Sequence, residues 1–342
     1  MYSFRNDYSE GAYPEILKRL SEENKKQHLG YGEDEICKEA KKRVHQKLKN
    51  DECDIHFLVG GTQTNLTVIS SALRPFEAVI TVDSGHINVH ETGAIEATGH
   101  KVIVVKGKDG KITPDGIHQA VKIHTDEHMV KPKMVYISNA TEIGTIYTKK
   151  ELEEIRKVCD EYKLYLFMDG ARLGAALTSS ENDLRFEDLC TYCDVFYIGG
   201  TKNGALFGEA IVIVSDKLKS DFRYMIKQRG GMLAKGWLIG VQFAELMKDN
   251  VYLELADHAN KLAQKMQSRL EELGISFFIK TSTNQIFPVL PNEMLEKLSE
   301  YIDYQIWEPY DETHTIVRFV TSWATDGKEV EEIIKLFENL IK

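Results

Sequence analysis

The chain has 342 residues, of which 42% are hydrophobic and 28% are charged, a composition typical of a folded protein with about two domains. Its formal net charge of −10 argues against a nucleic-acid or anionic-membrane partner, because phosphate groups attract basic surfaces. No segment approaches the ~20 apolar residues of a membrane helix, and the N-terminus does not resemble a signal peptide, so we expect a cytoplasmic protein that binds a small molecule.

The first two thirds of the sequence alternate short β-branched or aromatic runs with charged amphipathic stretches, which is typical of β-α-β units. Seven runs are predicted to be strands: residues 55–59, 79–82, 102–105, 134–138, 164–168, 195–198 and 210–214. Residues 64–73 and 151–162 have helical character. Because the apolar runs 134–138 and 164–168 do not alternate with polar residues, we expect them at the centre of a mostly parallel sheet with helices on both faces.

The last third of the chain has a different pattern. A long amphipathic helix is predicted at about residues 252–273, followed by strands near 276–279 and 317–321 and a final helix near 328–341. These elements predict a small α+β domain, packed tightly on the first because no Pro/Gly/Ser linker separates them. The predicted division is an N-terminal arm of residues 1–20, a large domain of residues 21–245 and a small domain of residues 246–342.

A glycine-rich turn, Gly60, Gly61 and Thr62, connects the first of the seven strands to the helix that follows. Glycines let the backbone approach a phosphate, and a helix N-terminus offers free N–H groups and a partial positive charge. The turn therefore predicts a phosphate site, although many glycine-rich turns only redirect the chain.

Two charged residues follow later strands. Asp169 comes directly after strand 164–168, and Lys202 follows strand 195–198 among the small residues Gly199, Gly200 and Gly204. Ligand sites of α/β proteins form where the carboxyl ends of such strands meet. A lysine can form a Schiff base with a carbonyl, and a carboxylate can pair with a protonated pyridine nitrogen, so the two residues predict pyridoxal 5′-phosphate (PLP). The alternatives are a helix cap for Asp169 and a solvated surface position for Lys202.

These residues carry a family resemblance. The chain resembles the threonine aldolases of the β-eliminating lyase group, which have the aspartate-aminotransferase-like PLP fold (fold type I). The similarity extends over nearly the whole chain and is marked by Arg5-Asn6-Asp7, Tyr31-Gly32-Glu33-Asp34, Gly61-Thr62, His86, Asp169-Gly170-Ala171-Arg172, Thr201-Lys202, Gly230-Gly231-Met232 and Arg318. The resemblance implies a large domain with a mostly parallel central sheet and a small C-terminal α+β domain.

The resemblance also implies roles for individual residues. Lys202 would form the Schiff base with PLP, Asp169 would hold the pyridinium nitrogen, and His86 would stack on the ring and help to manage the proton of the substrate's β-hydroxyl. The phosphate would be bound by Gly60, Gly61, Thr62 and Thr201. The cofactor or the substrate carboxylate would be contacted by Arg172, Asn6 and Arg318. For Arg318, which lies in an apolar run, an anionic ligand would also offset the cost of a buried charge.

The sequence departs from the family pattern in places. Residues 139–142 read Asn-Ala-Thr-Glu where a histidine is usual, no arginine follows Met232, and Asn6 stands where a serine is common. A β-eliminating lyase or an aminotransferase on the same scaffold is therefore an alternative. A rival from another class is an α/β protein that binds a phosphorylated metabolite without catalysis.

The predicted reaction is cleavage of L-threonine, L-allo-threonine or a related β-hydroxy-α-amino acid to glycine and an aldehyde. The family resemblance implies a homodimer or homotetramer, with Tyr31, Lys227 and Arg229 contributing across the subunit interface. No metal is predicted, because Cys190 and Cys193 lack a second pair of zinc ligands at suitable spacing.

Overall fold

The computed structural model describes residues 2–341. In chain order the strands are β1 Tyr2–Ser3, β2 Asp54–Leu58, β3 Glu77–Val82, β4 Val102–Val105, β5 Lys131–Ser138, β6 Tyr165–Asp169, β7 Val195–Gly199, β8 Glu209–Ile213, β9 Ser276–Ile279, β10 Gln285–Pro291, β11 Ile302–Asp303, β12 Gln305–Pro309 and β13 His314–Val320. The helices are α1 Pro14–Glu23, α2 Glu35–Leu48, α3 Gly61–Ala72, α4 His86–Val89, α5 Pro114–Ile123, α6 Lys149–Tyr162, α7 Leu173–Leu177, α8 Phe186–Tyr192, α9 Phe222–Gln228, α10 Trp237–Leu246, α11 Val251–Glu272, α12 Asn292–Leu298 and α13 Gly327–Ile341. None of the helices in this range combines the length and apolar character needed to cross a membrane.

A seven-stranded sheet forms the centre of the large domain, in the order β2-β8-β7-β6-β5-β3-β4. All of its strands run parallel except β8, which is antiparallel to both neighbours. The seven predicted strands are all confirmed, with ends that differ from the predictions by at most three residues. β6 is the central strand and β5 is beside it, which confirms the position predicted from their apolar runs.

Helices cover both faces of this sheet, and buried side chains form a separate cluster on each face. Leu166 and Met168 of β6 belong to one cluster and Phe167 to the other, since successive side chains of a strand point to opposite faces. Parallel strands bring their carboxyl ends to one edge of the sheet. Asp169 ends β6 at this edge, Lys202 follows the end of β7, and α3 begins at Gly61 just after β2.

The small domain contains an antiparallel sheet in the order β12-β13-β10-β9, packed against α11 and α13. The predicted helices 252–273 and 328–341 and the strands 276–279 and 317–321 are confirmed. β1 pairs with β11, and Phe4 packs against Phe319 in a third buried cluster. We propose the division into residues 1–20, 21–245 and 246–342.

Candidate active site

The carboxyl edge of the central sheet borders a cavity of about 320 Å³, the inner cavity. Its lining includes the predicted residues Gly60, Gly61, Thr62, His86, Asp169, Arg172, Thr201 and Lys202. An adjoining cavity of about 250 Å³, the arginine cavity, is lined by Tyr8, His86, His90, Glu142, Arg172, Lys202, Gln305, Trp307 and Arg318. Asn6 lines neither cavity, and its Oδ1 accepts hydrogen bonds from the N–H of Tyr8 and the hydroxyl of Ser9, both at 2.9 Å.

Asp169 is buried and accepts hydrogen bonds at both carboxylate oxygens. The hydroxyls of Tyr136 and Tyr197 donate to it at 2.5 Å each, the Asn65 amide at 3.2 Å and the Ala171 N–H at 2.9 Å. Burial would raise the pKa of Asp169, but the nearby His86 and these donors lower it below its ordinary value. The side chain is therefore held as a carboxylate, which is the state that can pair with a pyridinium.

Lys202 reaches the inner cavity from the turn after β7, with its Nζ 5.9 Å from the ring centroid of Tyr8. Burial lowers the pKa of Lys202, and the charge of Arg172 lowers it further, which favours the neutral amine that attacks a carbonyl. Gly199 and Gly200, which precede Lys202, lie where neighbouring backbone is too close for a side chain. A Cβ on Gly199 would lie 2.5 Å from the carbonyl oxygen of Ala171, and one on Gly200 would lie 2.7 Å from that of Gly208.

The N-terminus of α3 opens into the same cavity through Gly60, Gly61 and Thr62. The first N–H groups of a helix have no partners within the helix, so they are available to a phosphate. A Cβ on Gly61 would lie 3.1 Å from the Tyr197 hydroxyl oxygen, so a side chain would crowd the cradle at this point. The Thr201 hydroxyl lies nearby and donates to Glu209 at 2.8 Å.

Glu209 is a buried acid in the inner cavity, and no local sequence pattern marks it as part of a site. Its carboxylate accepts hydrogen bonds from the N–H of Gly200 at 3.1 Å and from Thr201. Burial raises the pKa of Glu209 to about 8. Its protonated form avoids placing a negative charge beside the phosphate cradle.

His86 is held by a buried carboxylate. Its Nδ1 lies 2.8 Å from Oε1 of Glu91, and the Asn65 amide donates to the same oxygen at 2.7 Å. Burial lowers the pKa of His86, but the hydrogen bond to Glu91 and the charge of Glu142 outweigh it and raise the pKa above its ordinary value. Because Asn65 also donates to Asp169, its amide connects Glu91, the partner of His86, with Asp169.

Arg172 is buried and already paired. Its Nε and Nη2 donate to the two carboxylate oxygens of Asp7 at 2.7 and 3.0 Å, and Asn284 donates to Asp7 at 2.9 Å. This bidentate pair fixes the N-terminal arm against the inner cavity. Asp7 was part of a motif noted in the sequence, but its partner was not predictable, because 165 residues separate the two.

Arg318 has an unfilled hydrogen-bonding position. Its Nη1 donates to Gln285 at 3.1 Å and its Nη2 to Gln305, whereas its buried Nε has no partner among the described residues. Burial and the charge of Arg172 lower the pKa of Arg318 to about 10. A bound anion would satisfy the free N–H and restore the balance of charge.

The residues present fit PLP. One cavity holds a buried lysine, a carboxylate kept ionised by four donors and a free helix N-terminus, which are the partners that an aldehyde, a pyridinium nitrogen and a phosphate need.

Comparison with known sequences gives the family. The β-eliminating lyase family matches residues 4–292. The chain belongs to the β-eliminating lyase family. Family members are PLP enzymes, so PLP is the cofactor of this chain, as predicted from Lys202 and Asp169.

Several relatives of this chain are threonine aldolases. The low specificity L-threonine aldolase of Pseudomonas aeruginosa is 31% identical over 97% of this chain and 96% of its own length. That of Escherichia coli K12 is 28% identical over 89% of this chain and 88% of its own length. A solved structure of Leishmania major threonine aldolase has a TM-score of 0.99 at 49% identity, covering all of both chains.

More distant structures support the fold alone. Histidinol-phosphate aminotransferase from Clostridium acetobutylicum has a TM-score of 0.75 at 15% identity over 100% of this chain and 99% of its own. The aspartate-aminotransferase-like fold predicted for this chain is therefore confirmed.

Proposed function

We propose that this protein is a PLP-dependent aldehyde-lyase that cleaves L-threonine, L-allo-threonine and related β-hydroxy-α-amino acids to glycine and an aldehyde. The proposal rests on the observation that the inner cavity and the arginine cavity adjoin and share lining residues. Lys202 and Arg172 line both cavities, with Asp169 in one and the unsatisfied Nε of Arg318 in the other. An amino acid can therefore reach the cofactor with its amino group while Arg318 holds its carboxylate. The threonine aldolase relatives support this choice of reaction.

The residues that would contact the cofactor have separate roles. Lys202 would carry PLP, Asp169 would pair with its ring nitrogen, and His86 would cover the ring. The phosphate would be held by Gly60, Gly61, Thr62 and Thr201, with Arg172 close to the ring. When bound, PLP takes up electrons from the bond that breaks at the substrate's α-carbon.

The substrate is oriented by its carboxylate. Arg318 offers its free Nε, and Arg172 fixes the adjoining wall through its pair with Asp7. Holding the carboxylate at Arg318 would help to select which bond of the α-carbon breaks. The β-hydroxyl must lose its proton for the aldehyde to form, and two side chains beside the cavity can accept it: His86, expected from the sequence, and Glu142.

The test begins with the purified protein and added PLP. We expect a visible absorption band, and reduction with borohydride followed by peptide mapping should place the cofactor on Lys202. The variant Lys202→Ala should lose the covalent adduct and the activity. L-threonine and L-allo-threonine should release aldehyde and glycine. Release of 2-oxobutanoate and ammonia from these substrates, or amino transfer to a keto acid, would instead favour a β-eliminating reaction or an aminotransferase. A colourless protein would favour a non-catalytic metabolite-binding protein.

We further propose a homodimer or homotetramer in the cytoplasm. Tyr31 is 48% exposed, and the Lys227 ammonium lies 5.0 Å from its ring centroid, so an exposed aromatic and a cation stand together at the expected interface. Light scattering of the PLP-loaded protein measures the assembly, and a monomer would contradict this proposal.

A further inference from the structure

Glu142 lies where the cavities of the site meet. It lines the inner cavity, the arginine cavity and a third one of about 570 Å³, the outer cavity, whose lining includes Val89, His90, Phe278, Gln305 and Trp307. Among the residues that line these three cavities, only Glu142 belongs to all of them. Glu142 therefore borders the space for the cofactor and the space beside Arg318, and it also borders the outer cavity.

The loop after β5 fixes this carboxylate. The Ser138 hydroxyl donates to Oε1 of Glu142 at 2.9 Å, and no residue in 2–341 donates to Oε2. The loop itself is anchored, because the N–H of Thr141 donates to the carbonyl of Thr145 at 2.8 Å and the Thr283 hydroxyl donates to the carbonyl of Gly144 at 2.9 Å. One oxygen is thus held and the other remains free to accept a proton.

The other candidate base is less well suited to accept that proton. Nδ1 of His86 is committed to Glu91, and the pKa of His86 is raised, since the effect of burial is outweighed by that hydrogen bond and by the charge of Glu142. The raised pKa increases the share of His86 that is already protonated, and a protonated imidazole cannot accept a further proton. Glu142 makes no such ion pair within 4.0 Å in the described part of the chain.

We propose that Glu142 is the catalytic base that takes the proton of the substrate's β-hydroxyl, directly or through one water. The inference rests on the proposed function. A substrate with its carboxylate at Arg318 and its amino group at Lys202 would occupy the arginine cavity, which Glu142 also lines. The O–H bond breaks and its proton goes to Glu142. The O–H electron pair would form the aldehyde C=O as the Cα–Cβ bond breaks, and PLP, when bound, would accept the electron pair of that bond.

The experiment uses the PLP-loaded enzyme and separates cleavage from chemistry that involves no β-hydroxyl. Glu142→Gln should lower kcat for L-threonine by about 10²- to 10⁴-fold, the usual contribution of a general base, with a smaller effect on KM. It should keep the visible absorption band and the wild-type rate of glycine α-proton exchange in D₂O, because glycine has no hydroxyl. Glu142→Asp, which retains a carboxylate, should recover part of kcat. Glu254→Gln is a matched control, since Glu254 is exposed on α11.

Three results would overturn the assignment of Glu142. The first is a Glu142→Gln enzyme that cleaves at the wild-type rate. The second is a variant that loses glycine exchange as completely as cleavage, because Glu142 would then shape the site rather than act on the hydroxyl. The third is selective loss of cleavage in His86→Gln but not in Glu142→Gln. A wild-type enzyme that exchanges glycine protons but cleaves no β-hydroxy amino acid would overturn both this inference and the proposed function.

Discussion

The buried pair of Asp7 and Arg172 gives the sharpest stability prediction. Both side chains are almost fully buried, with 1% and 6% of their surface exposed, and two hydrogen bonds join them. Asp7→Asn would leave the guanidinium buried with an amide in place of its counter-anion. Removing one partner of a buried ion pair typically costs about 3–5 kcal/mol, because the remaining charge is uncompensated.

The exposed pair of Arg5, in the N-terminal arm, and Asp303, in β11, offers a matched control. Its side chains are 58% and 39% exposed, and such pairs contribute about 0–1 kcal/mol. Urea unfolding of the protein without PLP should therefore show a much larger loss for Asp7→Asn than for Asp303→Asn. The double variant Asp7→Asn/Arg172→Met should be more stable than Asp7→Asn alone, since it removes the unpaired charge.

The same pair predicts a pH dependence. Burial would raise the pKa of Asp7, but Arg172 and Lys202 lower it below its ordinary value. Its stabilising contribution is therefore present above the ordinary carboxyl pKa and is lost as the pH falls through the lowered value. Equal losses of stability in Asp7→Asn and Asp303→Asn, or no recovery of stability in Asp7→Asn/Arg172→Met, would refute the reasoning about this buried pair.

Three further predictions concern the site. Arg318→Gln should raise KM for L-threonine by about 10- to 150-fold, because a hydrogen bond to a charged group contributes about 1.5–3 kcal/mol; steady-state kinetics measure this, and an unchanged KM would remove Arg318 from the carboxylate site. Glu209→Gln should gain stability relative to wild type as the pH rises from the ordinary pKa of 4.5 to about 8, since burial disfavours the ionised Glu209. Thermal unfolding of both proteins without PLP measures this across the range. A constant difference in stability between them would contradict the prediction. Glu91→Gln should lower the pKa of His86 in an NMR titration, and a constant value would show that Glu91 does not hold the imidazolium.

The large-domain sheet was predictable because its strands are apolar and buried on both faces, so local composition reports their environment. β10 was not predicted, since Gln285–Pro291 contains two prolines, and β12 was not, because its residues are partly exposed at a sheet edge. β1 has only two residues, and its pairing with β11 depends on a contact some 300 residues away in sequence. Short or irregular strands depend on tertiary partners that local patterns do not reveal.

The site residues also differ in whether local sequence or tertiary contacts reveal them. Lys202 and Asp169 were predictable because each follows an apolar strand, and the fold brings such positions to one edge. Glu142 was noticed only as the absence of a histidine, since its position at the meeting point of three cavities depends on loop geometry. The partners Glu91 and Asp7 act through contacts that only the folded chain creates.

The most direct test of the central claim is product analysis with L-threonine and the PLP-loaded wild-type protein. The proposed reaction predicts acetaldehyde and glycine in equal amounts, both lost in Lys202→Ala. Consumption of L-threonine with a keto acid and ammonia as products, or no consumption by a protein whose PLP is attached to Lys202, would contradict it.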